Sequence, residues 1–83
     1  MAFERHQLVV FMEDRLGLDA AGVTDDTPLF SSAVLDSFSL VDLVSFVEKQ
    51  IGAKIKAMDV NLDNFDTIER IIAYASRRTA AEA

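Results

Sequence analysis

Leu40, Val44, Val47 and Ile51 recur at intervals of four, three and four residues, the spacing of one stripe along a helix. Leu43 widens the stripe, and Gly52 follows as a left-handed stop. Residues 37–51 therefore read as a helix that must bury one face. Two other segments offer it partners. In residues 3–16, Leu8, Val9, Phe11, Met12 and Leu16 fall at mostly helical spacing, and Gly17 closes the run. In "DTIERIIAYASRR", Ile68, Ile71, Ile72 and Ala75 supply an inward face. There Asp66 and Glu69 stand at capping-box spacing, and Arg77 and Arg78 suit the negative helix end. Between them, Asp59 is placed to cap a short helical turn in "MDVNLDNF". No segment reads as a strand. The expected fold is all-α: a four-helix bundle of three main helices and one short one, with a long loop between the first two long helices. Residues 1–83 read as a single domain, with 79–83 as a frayed tail.

The loop covers residues 17–35 and holds two of the three glycines and the only proline. A connection this long in a small domain is often functional. Its apolar residues, Leu18, Val23, Leu29, Phe30, Val34 and Leu35, are expected to pin it across the core.

Composition narrows the function. A chain of 83 residues buries only roughly 60–65% of its unfolded surface, so its core must be tight. The chain has no cysteine, which excludes disulfides and thiolate metal sites. No apolar run approaches the roughly 20 residues that span a bilayer, so membrane insertion is not expected. "MAFERHQLVV" lacks the pattern of a signal peptide, and a cytoplasmic protein is the expectation. The net charge is −6 with no basic stripe, which argues against nucleic acid. From Asp25 to Glu48 the chain carries five acidic residues and neither Lys nor Arg. Such a face attracts basic partners.

On a wheel of about 100° per residue, Phe38, Val41, Asp42, Ser45, Glu48 and Lys49 fall opposite the Leu40 stripe. Two large apolar groups ringed by Asp36, Asp42 and Glu48 look like a small docking patch. Ser37 stands at the helix start and admits two readings. Asp36 or Ser37 caps the helix, or Asp36 caps it while Ser37 carries a phosphate group, favoured there by unpaired N–H groups and the dipole. No His or Lys adjoins Ser37 to act as a base, and the only histidine, His6, reads as solvent-facing. "DVNLDN" begins like a calcium loop, but Asn64 and Arg70 occupy the positions that need Gly and Glu. No catalytic constellation and no metal site is expected. On these grounds alone, an unmodified acidic helical interaction domain is the alternative.

"LDSFSLVDLVSFVEKQIG" resembles the segment of acyl and peptidyl carrier proteins that holds the modified serine. In that family an Asp-Ser-Leu type motif opens the second helix, and its serine bears 4′-phosphopantetheine. Asp36-Ser37-Phe38 is similar to it, with Phe for Leu. Thr27-Pro28-Leu29-Phe30 resembles the family's loop before the motif, and "NFDTIERIIAYA" its last helix, so the likeness covers roughly residues 5–76. The resemblance implies a non-catalytic carrier monomer with Ser37 as the attachment site. It implies that Asp36 assists a phosphopantetheinyl transferase through the magnesium that accompanies coenzyme A. It implies that Phe38, Val41, Asp42, Ser45 and Glu48 meet partner enzymes, and that Val60 and Phe65 line the other side of the arm or cargo. The implied partners are that transferase, an acyl or aminoacyl ligase or acyltransferase, and downstream synthases of fatty-acid, polyketide, aminoacyl or related pathways. The absence of Gly-Gly before Asp36-Ser37, and the chain's own Met1, favour a freestanding carrier over a modular one. Leu-Asp-Ser-Phe with "NFDTIERI" looks more like specialised acyl or aminoacyl carriers, the D-alanyl type among them, than a housekeeping fatty-acid protein. Lys49, Lys54 and Lys56 point the same way, because they dilute the acidity of this half.

Overall fold

The computed structural model describes residues 4–33 and 35–82. Phe3, where the sequence pattern starts the first helix, and Val34, among the residues expected to pin the loop, lie outside the described residues. Four α-helices form, and no strand occurs among the described residues. They are α1 (Arg5–Leu16), α2 (Ser37–Ile51), α3 (Leu62–Phe65) and α4 (Ile68–Glu82), with short 3₁₀ turns at Ala20–Gly22 and Ala57–Asp59. α4 runs through Glu82, into the segment read from sequence as a frayed tail.

α4 is the central element, packing against each of the other three helices. Its Ile68, Ile71, Tyr74 and Ala75 are buried with Leu8 and Met12 of α1, Leu43 and Val47 of α2, and Phe65 of α3. The α2 stripe is rotated from the expected one. Leu43 and Val47 are fully buried, whereas Leu40, Val44 and Ile51 are half-buried. The rotation lets Phe46 stack on Phe11 of α1, with ring centroids 4.1 Å apart and planes 13° from parallel. The inward face of α4 likewise includes Tyr74, which lies outside the aliphatic pattern, while Ile72 is only half-buried. Gly17 and Gly52 end α1 and α2 at φ 71°, the left-handed conformation that glycine adopts without a Cβ penalty.

The α1–α2 connection is a strap and not a slack loop. Leu29 is fully buried, Leu18 and Leu35 are nearly so, and Val23 and Phe30 pack partly against the core. Its polar anchor is Asp66. Asp66 Oδ1 accepts the N–H groups of Phe30 at 2.9 Å and Ser31 at 3.0 Å, and Oδ2 accepts the Ser31 hydroxyl at 2.7 Å. The Asp66 carbonyl takes the Leu29 N–H at 2.6 Å. The Glu69 N–H in turn donates to the Asp25 carbonyl at 3.0 Å, and Asp25 also pairs with Arg5 of α1. Capping-box spacing misassigned Asp66. Thr67 caps α4, its Oγ1 accepting the Arg70 N–H at 3.0 Å, and Asp66 is released to bind the strap.

Burial alone would push the Asp66 carboxyl up. The Ser31 N–H and hydroxyl, the Phe30 N–H and the Arg70 charge outweigh it and hold the group below the ordinary carboxylate range.

The far end of α4 is tied down by a second network. Tyr74 O–H donates to Asp59 Oδ2 at 2.8 Å, and Arg78 Nη1 donates to the Tyr74 oxygen at 2.8 Å. Arg78 Nη2 reaches the Lys54 carbonyl at 2.9 Å, and Arg77 Nη2 reaches Asn64 Oδ1 at 3.1 Å. Because α4 continues beyond them, these arginines bind the 54–64 segment and do not terminate the helix. Asn61, not Asp59, caps α3, accepting the Asn64 N–H at 3.1 Å.

Ala33 closes a turn of the strap at φ 65°, a left-handed conformation that costs an L-residue roughly 1–2 kcal/mol. A glycine there escapes that cost and loses roughly 0.5–1 kcal/mol to extra unfolded-state entropy. Ala33→Gly is therefore expected to stabilise the protein by about 0.5–1 kcal/mol, read from the urea midpoint at unchanged m-value.

Candidate functional site

The strap delivers the chain to the start of α2. The Leu35 N–H donates to the Leu29 carbonyl at 2.8 Å, which fixes the residue before Asp36 to the buried part of the strap. Asp36 is the N-cap: its Oδ1 accepts the Ser39 N–H at 2.9 Å. Hydrogen bonds from the Ser39 backbone and side chain, and from the Phe38 N–H, hold its carboxyl below the ordinary aspartate range.

With Asp36 capping, Ser37 is the first residue inside the helix. It is exposed, and among the described residues its hydroxyl takes no hydrogen bond. Both readings left open by the sequence allow Asp36 as the cap, and the cap is Asp36. The position suits a phosphodiester. The first-turn N–H groups and the positive end of a 15-residue helix lie beside it.

Phe38 is 82% exposed and Val41 65% exposed, so both apolar residues stand on the outer face, as the wheel indicated. Asp42 and Ser45 are exposed on the same side. Asp42 and Ser45 share a groove of about 280 Å³ with Phe11, Arg15, Phe46 and Lys49. Ser45 and Glu48 line a second hollow of about 420 Å³ with Lys49, Gly52, Ala53 and Lys54. Glu48 is half-buried and its Oε2 accepts the Ile55 N–H at 2.7 Å, so it also fastens the turn that leaves α2. Arg15, Lys49 and Lys54 enter this face, which is more mixed in charge than the 25–48 segment alone implied.

One expectation shifts. Phe65 is fully buried, its ring centroid 5.4 Å from that of Tyr74, and so belongs to the core and not to a cargo surface; Val60 is half-buried. Met58, 77% exposed, and Leu62, 48% exposed, are apolar surface residues that the sequence pattern did not mark. Their one signal was isolation from any periodic stripe. His6 is exposed, as expected. The candidate calcium side chains have structural partners: Asp59 holds Tyr74 and Asn61 caps α3.

Residues 6–75 match the family model described as a phosphopantetheine attachment site. This chain belongs to that family. Among curated relatives, it is 31% identical over 67 residues to an acyl carrier protein of Thermotoga maritima, covering 81% of this chain and 80% of that one. It is 34% identical over 79 residues to an acyl carrier protein of Onion yellows phytoplasma, covering 95% and 99%. It is 30% identical over 59 residues to the probable acyl carrier protein PigG of a Serratia species, covering 71% and 68%. The family is that of the acyl carrier proteins, non-catalytic carriers that bear covalent 4′-phosphopantetheine and serve phosphopantetheinyl transferases and biosynthetic enzymes. No helix among the described residues is long and apolar enough to cross a membrane.

The Asp36 cap has a pH signature. A carboxyl held low in the folded state stabilises above its unfolded pKa of about 4, and that contribution is lost as pH falls through the lowered folded value. Asp36→Ala is expected to lower the thermal midpoint at pH 7, with the gap to the parent protein shrinking as the pH drops below about 4.

Proposed function

We propose that Ser37 is the residue that carries the phosphopantetheine arm. The observation that carries this reading is the division of labour at the helix start: Asp36 spends its carboxylate on the Ser39 N–H, and the adjacent Ser37 hydroxyl is exposed without a partner among the described residues. In the loading step, Ser37 Oγ forms a new bond to phosphorus as the pyrophosphate link of coenzyme A breaks. The nucleotide half leaves and the hydroxyl proton passes to a base of the transferase, since no His or Lys adjoins Ser37 in the sequence. Asp36, next to that oxygen, supports the transferase's magnesium. When bound, the arm supplies a terminal thiol that holds cargo as a thioester, which agrees with a chain free of cysteine. Residues 1–83 act in this reading as one carrier domain.

Phe38, Val41, Asp42, Ser45 and Glu48 form the partner face: apolar anchors beside acidic groups that steer basic partners into brief encounters. The finer reading is a specialised acyl or aminoacyl carrier working in the cytoplasm as a monomer, loaded by a ligase or acyltransferase. The specialised character is supported by Lys49 and Lys54, which line the hollow beside Ser45 and Glu48, both within the partner face.

Incubation with a transferase and coenzyme A is expected to add one phosphopantetheine by intact mass. Ser37→Ala should abolish the addition, whereas Ser39→Ala and Ser31→Ala should still load at saturating carrier; loading of Ser37→Ala would overturn the assignment. On the partner face, Val41→Asp is expected to leave the unfolding free energy from urea denaturation within about 0.5 kcal/mol of the parent, because the residue is exposed, while slowing turnover by a cognate ligase or synthase. Unchanged turnover would remove Val41 from that face.

A further inference from the structure

We propose that Asp66 is a positioning residue for the loading of Ser37. It holds the strap so that the entry to α2 is presented in one conformation; the proposal rests on Ser37 being the attachment site.

The physical path is short. The Asp66 carboxylate holds Phe30 and Ser31, and its carbonyl holds Leu29. The Leu29 carbonyl holds the N–H of Leu35. Leu35 adjoins Asp36, whose carboxylate sets the first turn of α2. Leu29 and Leu35 are buried, so the path is clamped against the core at both ends. The start of α4 thereby governs the geometry around a serine on a different helix.

Removing the Asp66 carboxylate strands two N–H donors and one hydroxyl. The backbone contacts Leu29–Asp66 and Glu69–Asp25 do not depend on that side chain, so the bundle persists while the strap samples further arrangements. A transferase that binds only the ordered arrangement then sees an apparent affinity reduced by the ordered fraction, with chemistry in the bound complex intact. The signature is a raised KM for the carrier at nearly constant kcat. An asparagine restores it, because Oδ1 still accepts both N–H groups and the amide N–H can donate to the Ser31 oxygen, which then acts as acceptor.

The test is steady-state loading of the full chain by a transferase with coenzyme A, varying carrier concentration. Asp66→Ala is expected to raise KM by about fivefold or more with kcat within about twofold, and Asp66→Asn to stay within about twofold of the parent in both. Tyr74→Phe breaks the Asp59 bond on the same helix and controls for general destabilisation; its KM should not change. Should Asp66→Ala not fold, Ser31→Ala removes the Oδ2 contact alone and is expected to raise KM by about twofold. A parental KM in the folded alanine variant, or an asparagine variant as impaired as the alanine one, overturns the proposal. Arm addition to Ser37→Ala would be a different failure, that of the attachment site itself.

Discussion

A carboxylate at the start of α4 holds the longest irregular segment of the protein in place. A buried carboxylate is costly unless its oxygens are filled. Asp66 fills them with two N–H groups and a hydroxyl from one stretch of the strap. It stands just before α4, where the positive end of the helix favours negative charge. One side chain therefore resolves two problems: the backbone N–H groups of a strap pinned by Leu29 and the unpaired charge of a buried acid.

The entry to α2 depends on that hold. Leu35 is fixed to Leu29, Asp36 takes the cap, and Ser37 is left at the surface with its oxygen unused. The interior of the bundle converges on α4, whose distal end is tied by Tyr74, Asp59 and Arg78. The outer face of α2 contributes little to that interior, and Phe38 and Val41 stand exposed on it. Under the proposed function, this separation lets a contact surface serve several enzymes without disturbing the core.

The helices were legible because their signals are local. The apolar period and Gly52 gave the extent of α2, and the same logic gave α1. Residue type and position narrowed the cap of α2 to Asp36 or Ser37, and the Ser39 N–H gives it to Asp36. The misreadings came where a distant partner outcompeted a local one. Asp66 and Glu69 fit a capping box three residues apart, yet Asp66 binds residues more than thirty positions away while Thr67 caps the helix. Phe46 gave no sign that a ring on α1 would receive it. Tyr74 escaped the pattern because its hydroxyl needs a buried partner, and Asp59 lies outside its helix. At the candidate site, the motif marked Asp36 and Ser37 as a local pattern, whereas the strap that presents them rests on pairings across the fold.

Native-state amide hydrogen exchange, resolved residue by residue, tests the latched strap most directly. The Leu29, Phe30 and Ser31 amides should be protected to an extent comparable with buried amides of α2 and α4, because each is bonded to Asp66 at the edge of the core. Exchange of those three amides at the rates of an open loop, with α2 and α4 still protected, would contradict the account.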